Sequence, residues 1–271
     1  MSIGVLNNIS SLIAENAVSN TQAHLQSTLQ QLSTGLKINS GSEDAAGLSI
    51  ADGLGANIAA LSQSSQNASD GIGLLQTADG ALSQVTTQLN RATTLATEAG
   101  NGGLSTAQST ALDTEFQSIL AEITQIGATT NFNGTAVFGT SATTFTRDGT
   151  TAGATTTTTA IAALTPAALG LTGNLLTSAA AQTALTAITA AISTISANRG
   201  AIGASVNQLT ADTNVENTEV QNLTSAQNNV QNADIAATTS NLTQFNILEQ
   251  TGFDALSQSS QAQQNVLKLI Q

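Results

Sequence analysis

Residues 185–230 read LTAITAAISTISANRGAIGASVNQLTADTNVENTEVQNLTSAQNNV. Large apolar residues in this stretch keep one seven-residue frame: Leu185, Ile188, Ile192, Ile195, Ile202, Val206, Leu209, Val220, Leu223 and Val230. Polar residues interrupt the frame at four places, Arg199, Thr213, Glu216 and Gln227. A helix of this length would extend about 69 Å, which is too long for a compact globule. The pattern therefore predicts a coiled-coil rod.

The amino-terminal part of the chain has the same helical rhythm. Leu25, Leu29, Leu32 and Leu36 are spaced by four, three and four residues, and the spacing resumes from Ile58 to about residue 127. Between these runs lies a Gly-rich stretch over residues 40–55, where we expect a bend at Gly47, Gly53 and Gly55, because glycine is unfavourable inside a helix. Glu43 and Asp44 are expected to cap a helix start. A last amphipathic segment runs from Leu242 to Ile270.

The middle of the chain, about residues 128–178, has a different character. The dipeptides Asn133-Gly134 and Asp148-Gly149 are typical of β-hairpin turns. Short β-prone pieces surround them at residues 136–138 and 143–146, and residues 155–159 are five consecutive threonines. We expect two or three short strands on an exposed Thr-rich knob.

These patterns predict a mainly α fold. Both termini form a long antiparallel helical coiled-coil rod, and a small β-hairpin region lies in the middle of the chain. The predicted divisions are a core helix at 1–42, a rod part at 43–130, the hairpin and variable region at 131–178, a second rod part at 179–231, and a carboxy-terminal core helix at 232–271.

Composition excludes several classes of function. The net charge of −12 disfavours nucleic acid and anionic membrane surfaces as partners. The chain has no cysteine, so disulfide and thiolate chemistry are ruled out. The first residues, MSIG, lack the features of a secretory signal peptide. No run of about 18 apolar residues occurs, so we expect no membrane insertion.

No residue pattern indicates a cofactor, metal or catalytic site. His24 is the only histidine, and a single imidazole without clustered carboxylates makes no zinc site. The GIG stretch at 71–73 lacks the third glycine of a dinucleotide fingerprint. Residues 212–216 begin like a calcium loop, but Asn217 replaces the required glycine.

The two terminal segments are expected to need partners. Their apolar side chains are too few to offset the entropy of ordering two lone helices, whose outer stripes would stay in water. We therefore expect tails that are largely disordered in the monomer and fold when neighbouring copies cover them. The predicted polymerisation interface comprises Leu25, Leu29, Leu32, Leu36, Leu242, Phe245, Leu256, Val266, Leu267 and Ile270.

Several motifs resemble those of the bacterial flagellin family. Towards the amino terminus these are LSTGLKINS at 32–40, EDAAGLSI at 43–50, NASDGI at 67–72 and LLQTADGAL at 74–82. NFNG at 131–134 is similar to the turn that closes the family's inner domain, and NADIA at 232–236 and QNVL at 264–267 resemble its carboxy-terminal signature. The resemblance covers roughly residues 1–138 and 180–271.

The resemblance implies a secreted, non-enzymatic subunit of the extracellular flagellar filament, with a minimal outer domain. It also implies unfolded export through the flagellar type III apparatus, a cytoplasmic export chaperone on the carboxy-terminal helix, and contacts with hook-junction and cap proteins. Some flagellins are sensed by a host innate immune receptor, and the matching positions here are Arg91, Leu95 and Glu115.

Two alternatives remain open at this point. A hook–filament junction protein shares the helical ends, although the motifs at 44–47 and 265–267 favour the filament subunit. A secreted coiled-coil adhesin or translocator that acts without polymerising is the alternative from another class. An enzyme is the least favoured class, because no nucleophile, base and orienting residue occur together.

Overall fold

The computed structural model describes residues 9–139, 142–146 and 156–270, with the backbone alone described for 142–146, 156–160 and 266–270. Its helices are α1 (Ile9–Thr34), α2 (Ala45–Ala99), α3 (Thr106–Thr129), α4 (Ser178–Gln231) and α5 (Ile235–Ile270). Its strands are β1 (Asn131–Phe132), β2 (Thr135–Ala136), β3 (Ala142–Thr146) and β4 (Thr156–Ala160). The predicted mainly α fold with a small β-hairpin region is confirmed.

The chain divides into two compact units. Unit 1 contains the residues up to Ala56 and those from Asn222 onward, and unit 2 is Asn57–Gln221. Helices α2 and α4 each begin in one unit and end in the other. The units are described separately below.

In unit 1, a short backbone clip joins the segment after α1 to the segment before α5. Leu36 and Asn232 form an antiparallel β-bridge. The amide of Lys37 donates to the carbonyl of Gln231 at 2.7 Å, and the amide of Ala233 donates to Gly35 at 2.9 Å. Gly35 has φ +72°, a conformation that favours glycine, and it ends α1. The signature motifs at 32–40 and 232–236 thus form one structural feature.

Aspartate side chains cap the helices on either side of this clip. Asp234 Oδ1 accepts from the amides of Ala236 at 2.9 Å and Ala237 at 3.1 Å, at the start of α5. At the start of α2, Asp44 Oδ1 accepts from the amide of Gly47 at 2.9 Å. Both aspartates satisfy amides that a helix leaves without partners in its first turn. The predicted capping role is confirmed for Asp44, whereas Glu43 accepts from the amides of Asn39 and Ser40 in the segment before α2.

The predicted bend at Gly47, Gly53 and Gly55 is wrong. All three residues lie inside α2, and the break between α1 and α2 is confined to residues 35–44. At Gly55, an added Cβ would lie 3.1 Å from Nε2 of Gln227, which donates to the carbonyl of Ala51 at 3.2 Å. The glycine here provides room for a neighbouring side chain, and α2 remains continuous through it.

Unit 2 is built on α2 and α4, which run antiparallel. Ser64 pairs with Glu216, Asp79 with Arg199 and Gly100 with Ser178, so residue numbers rise along one helix as they fall along the other. Every seventh residue of α4 is buried in this core, at Ala181, Ile188, Ile195, Ile202 and Leu209. Two such rows on α2 face them, one through Leu61, Ala68, Leu75, Leu82 and Leu89, the other through Ala78, Val85 and Ala92. The seven-residue frame is therefore the physical basis of the core.

Helix α3 completes unit 2 with the segment that follows β4. Phe116, Ile119 and Ile123 of α3 are buried in the same core. Residues 161–177 contain no helix or strand, yet they bury five apolar side chains, Ile161, Leu164, Leu169, Leu171 and Leu175. Two hydrogen bonds hold this segment to α3: the amide of Leu175 donates to Asp113 Oδ1 at 2.8 Å, and Gln117 donates to the carbonyl of Gly173 at 3.0 Å.

The prediction that residues 131–178 form an exposed Thr-rich knob is therefore wrong over 161–177. The apolar residues of 161–177 follow no regular period, so no sequence pattern indicates that they are buried. The first hairpin is as predicted: β1 pairs with β2, and Asn133 (φ 50°) and Gly134 (φ 77°) form the turn. Two positive φ angles identify a type I′ turn. Strands β3 and β4 form a second antiparallel pair, and Asp148-Gly149 lies outside the described residues.

One described helix, α4, is long and apolar enough to cross a membrane by length and composition alone. The core helix of a soluble protein meets the same criterion. In unit 2 the large apolar residues Ile188 and Ile195 of this helix are fully buried against other parts of the chain. Of the stretch of α4 that meets the criterion, 28% is buried inside the protein.

We predict that Gly127→Ala destabilises the protein, because an added Cβ would collide with the backbone carbonyl of Leu164. Backbone cannot move aside as a flexible side chain does, so we expect a loss of about 1–3 kcal/mol. Gly80→Ala is the matched control, since Gly80 is also helical but has open space around it. It should stabilise by about 0.5–1 kcal/mol. Thermal unfolding measures both, and equal effects would contradict the assigned contact.

We also predict that Asp79→Asn weakens the protein by up to about 1 kcal/mol at neutral pH, because the ion pair is partly exposed. Arg199 donates from Nε to Asp79 Oδ1 at 2.7 Å and from Nη2 to Oδ2 at 3.2 Å. These bonds lower the pKa of Asp79 below its ordinary value of 3.8. The stabilisation is therefore present above that value and is lost as pH falls through the lower pKa of the folded state.

Denaturant unfolding of the Asp79→Asn variant at neutral and acidic pH tests this. Asp70→Asn is the control, because it removes the same charge from an exposed position on α2. A difference between Asp79→Asn and the unmodified chain that does not shrink in acid would contradict the predicted sign.

Candidate assembly surface

Helices α1 and α5 pack side by side and antiparallel in unit 1. Ser11 Oγ lies 2.8 Å from Ser259 Oγ, and Gln22 donates to Glu249 Oε1 at 3.2 Å. His24, predicted to be a surface residue, is exposed and stacks on Phe245 with ring centroids 5.4 Å apart. These contacts fix which faces of the two helices meet.

The face that α1 turns towards α5 is lined mainly by small or polar side chains. The residues with reduced exposure recur at steps of three and four: Ser11, Ala14, Val18, Thr21, Leu25, Thr28 and Leu32. On α5 the corresponding series is Thr238, Leu242, Phe245, Glu249, Gly252, Leu256 and Ser259. Gly252 lies so close to Val18 that an added Cβ would be 2.6 Å from Val18 Cγ2. The seam between the helices is therefore narrow and only partly apolar.

Most of the predicted interface residues lie in or beside this seam. Six are half-buried within the chain itself, namely Leu25, Leu32, Leu36, Leu242, Phe245 and Leu256. Leu29 is different, because its side chain is largely exposed. The side chains of Val266, Leu267 and Ile270 lie outside the described residues, although α5 extends through their backbone.

The large apolar residues that face outward were missed by the sequence analysis. They are 45–67% exposed: Ile9, Leu12 and Ile13 on α1, and Ile235, Ile247, Leu248 and Phe253 on α5. Together with Leu29 they define what we call the outer apolar faces. The i, i+3, i+4 spacing of Ile9, Leu12 and Ile13 indicates an apolar helix face. These residues do not continue the spacing of Leu25 and Leu32, so they were not included in the predicted interface.

These exposed residues are concentrated in unit 1. Eleven large apolar side chains are exposed among the described residues, and only two of them, Leu176 and Val215, belong to unit 2. Concentrated apolar exposure on a protein surface marks a region that another molecule covers. The arrangement is suited to binding other helices by apolar contact.

The described residues offer little for catalysis or cofactor binding. No group of three or more His, Cys, Asp or Glu side chains among them could hold a metal ion. Unit 2 contains a cavity of about 110 Å³ lined mainly by apolar residues such as Leu82, Phe138 and Ile161. This volume is below the roughly 300–1,000 Å³ of ordinary ligand pockets. Two larger concavities, of about 540 Å³ beside Glu122 and about 310 Å³ beside Asp79, are shallow and open to solvent.

The structure changes the set of residues proposed to contact a receptor. Arg91 on α2 and Glu115 on α3 are exposed and form an ion pair at 2.7 Å, which lowers the pKa of Glu115 and raises that of Arg91. Leu95, in contrast, is only 1% exposed, because it packs in the core of unit 2. Direct contact of the Leu95 side chain with another protein does not fit this structure, and the surface that remains is the ion pair.

We predict that Gly252→Ala loosens the α1–α5 pair, because Val18 is β-branched and cannot easily move its methyl group away. Adding Val18→Ala should recover part of the loss by removing the methyl group that the new Cβ meets. Limited proteolysis of α1 and α5, together with helical circular dichroism, measures the effect. If the two changes add without recovery, the close packing of Val18 on Gly252 is not what sets the distance between the helices.

Comparison with known proteins gives the family of this chain. Residues 5–143 match the bacterial flagellin N-terminal helical region, and residues 185–270 match the bacterial flagellin C-terminal helical region.

Flagellin 1 of Proteus mirabilis is 40% identical over 130 residues, and a flagellin of Serratia marcescens is 42% identical over 127 residues. These alignments cover 48% and 47% of this chain and 36% of each relative, so the match spans about a third of the relatives' length.

The crystal structure of Bacillus cereus flagellin is similar at 30% identity and a TM-score of 0.50, covering 55% of this chain and 88% of that one. With both helical ends matched in order around two hairpins and a long antiparallel helix pair, this chain belongs to the bacterial flagellin family.

Proposed function

We propose that this chain is a structural subunit that polymerises through α1 and α5 into the bacterial flagellar filament used for swimming. The observation that carries the proposal is the concentration of exposed large apolar residues on the outer faces of these two helices. Membership of the flagellin family indicates which polymer the chain would form. Burial of the outer apolar faces would provide the free energy of assembly.

The magnitude of apolar burial supports assembly. Completing the burial of a half-exposed Ile, Leu or Phe contributes on the order of 1 kcal/mol, because full burial contributes about 1.5–3 kcal/mol. The outer apolar faces hold eight such side chains, so contacts with neighbours on several sides give a substantial total. The net charge of −12 makes copies of the chain repel one another, so apolar contact must outweigh this repulsion, which salt screens.

The thin seam between α1 and α5 supports coupled folding and assembly. Serine, threonine and alanine fill much of it, and these residues bury little apolar surface. We propose that the terminal helices are only marginally stable in the monomer and become fully ordered when neighbouring subunits cover the outer apolar faces.

The wider partners are part of the same proposal. The subunit leaves the cell unfolded through the flagellar type III apparatus, after a cytoplasmic chaperone has covered its carboxy-terminal helix. It joins the extracellular filament, where it meets hook-junction and cap proteins as well as copies of itself. The Arg91–Glu115 pair is the surface proposed for a host innate immune receptor, and the role is structural, without catalysis.

Assembly tests the proposal directly. Ile247→Ser with Leu248→Ser should abolish growth from filament seeds, because it removes apolar contact area from the outer face of α5. The matched control is Leu176→Ser with Val215→Ser, which changes two similarly exposed apolar residues of unit 2. This control should elongate normally. Electron microscopy and light scattering after seeding measure both, and equal growth by the two variants would refute the assigned surface.

The same assay separates the alternatives. An unmodified chain that stays monomeric beside seeds would favour an adhesin or translocator. Addition to filament ends without further growth would favour a hook–filament junction protein. Continuous elongation supports the filament subunit.

A further inference from the structure

The chain contains two Asn-Gly pairs, and both lie in exposed turns of unit 2. One is Asn101-Gly102, between α2 and α3, and the other is Asn133-Gly134, between β1 and β2. An asparagine followed by glycine is prone to lose its side-chain amide, because no side chain hinders attack of the glycine nitrogen on the carboxamide carbon. The two turns differ in how well their structure permits that attack.

The turn at Asn101 holds the carboxamide close to the nitrogen that would attack it. The amide of Gly103 donates to Oδ1 of Asn101 at 3.3 Å. A side-chain oxygen bound to the amide two residues on lies against the intervening peptide, which here contains the amide nitrogen of Gly102. Proximity of this kind lowers the barrier of a reaction within one chain.

The backbone after Asn101 is free to complete the reaction. Gly102 is exposed, and an added Cβ there would meet no heavy atom within 4 Å. Gly103 follows it, and glycine has the widest choice of backbone angles of any residue. Rotation of this peptide towards the carboxamide therefore meets little steric resistance.

The turn at Asn133 is held more firmly. Asn133 (φ 50°) and Gly134 (φ 77°) form the type I′ turn, and Phe132 pairs with Thr135 across it. The Phe132 ring also packs on α2, since an added Cβ at Gly73 would lie 3.3 Å from it. Ring closure requires the peptide after Asn133 to rotate away from the angles of this turn, and the paired strands resist that rotation. The hairpin therefore protects its asparagine.

From these two turns we propose that Asn101 is a site of spontaneous deamidation in the folded protein, whereas Asn133 is protected. In the first step the nitrogen of Gly102 bonds to Cγ of Asn101, the bond from Cγ to Nδ2 breaks, and Nδ2 leaves as ammonia with the proton of the Gly102 amide. In the second step water opens the five-membered imide to give aspartate or isoaspartate. No oxidant or reductant takes part, and water is the co-reactant.

The modification changes the charge and the shape of one end of unit 2. A carboxylate replaces a neutral amide in a chain whose net charge is already −12. Isoaspartate also adds one carbon to the backbone beside Gly100, whose carbonyl accepts from Ser178 Oγ at 2.8 Å. We expect this contact, at the start of α4, to weaken as isoaspartate accumulates. The proposal concerns unit 2 alone and does not depend on the proposed filament function.

Peptide mass spectrometry of the full chain, incubated in mildly alkaline buffer, tests the proposal. In the folded protein, deamidation at Asn101 should be about tenfold faster than at Asn133, which corresponds to a barrier about 1.4 kcal/mol higher in the hairpin. In denaturant the two rates should become similar, because both asparagines precede glycine. Equal rates in the folded protein, or a difference that persists after complete unfolding, would overturn the proposal.

A substitution at the attacking residue gives a second test. Gly102→Ala should slow deamidation at Asn101 several-fold, because a methyl group then hinders the nitrogen. The fold should tolerate it, since Gly102 has open space and lacks a left-handed φ. Asn133→Gln is the matched control and should leave the rate at Asn101 unchanged. Circular dichroism checks that both variants are folded, and an undiminished rate in Gly102→Ala would contradict the assigned nucleophile.

Discussion

The seven-residue recurrence of apolar side chains on α2 and α4 is the constraint on which unit 2 depends. Leu75, Leu82 and Leu89 on one helix and Ile188, Ile195 and Ile202 on the other are buried in the same core. Because a side chain returns to the same face every seven residues, two long helices can stay in contact without a globular core around them. Helix α3 and residues 161–177 then cover the remaining apolar surface.

In the terminal helices α1 and α5, several of the large apolar side chains face outward instead of into a core. In unit 1 the seam between α1 and α5 contains Ser11, Thr21 and Thr28, while Ile9, Leu12 and Ile13 face outward. Small seam residues allow close approach, as Gly252 does beside Val18, but they bury little apolar area. Large apolar side chains are therefore buried in unit 2 and largely turned outward on the terminal helices of unit 1. This difference is the physical basis of the proposal that unit 1 supplies the assembly surface.

Features that depend on local sequence were predicted correctly. The helical rhythm of residues 185–230, the Asn133-Gly134 hairpin and the capping residues before α2 each depend on neighbours in the sequence, so a pattern reveals them. Burial of Leu164 and Leu175 depends on contacts with distant parts of the chain, and no periodic pattern in the sequence predicts it. The bend predicted at Gly53 is absent for a related reason. Packing along α2 outweighs the modest free-energy cost of glycine inside a helix. For the assembly surface, the spacing of Leu25 and Leu32 correctly predicted a terminal helix. These two residues, however, lie on the face that α1 turns towards α5.

Polar residues within the apolar rows show how position decides the effect of a charge. Asp79 and Arg199 interrupt the pattern near the protein surface, where each supplies the counter-charge of the other and water screens both. Glu216 interrupts it in the interior, where the hydroxyl of the buried Ser64 donates to its Oε1 at 2.6 Å. The first pair stabilises the fold when its acid is ionised. The sequence pattern presents both interruptions as the same kind of defect, although one lies near the surface beside its counter-charge and the other lies in the core.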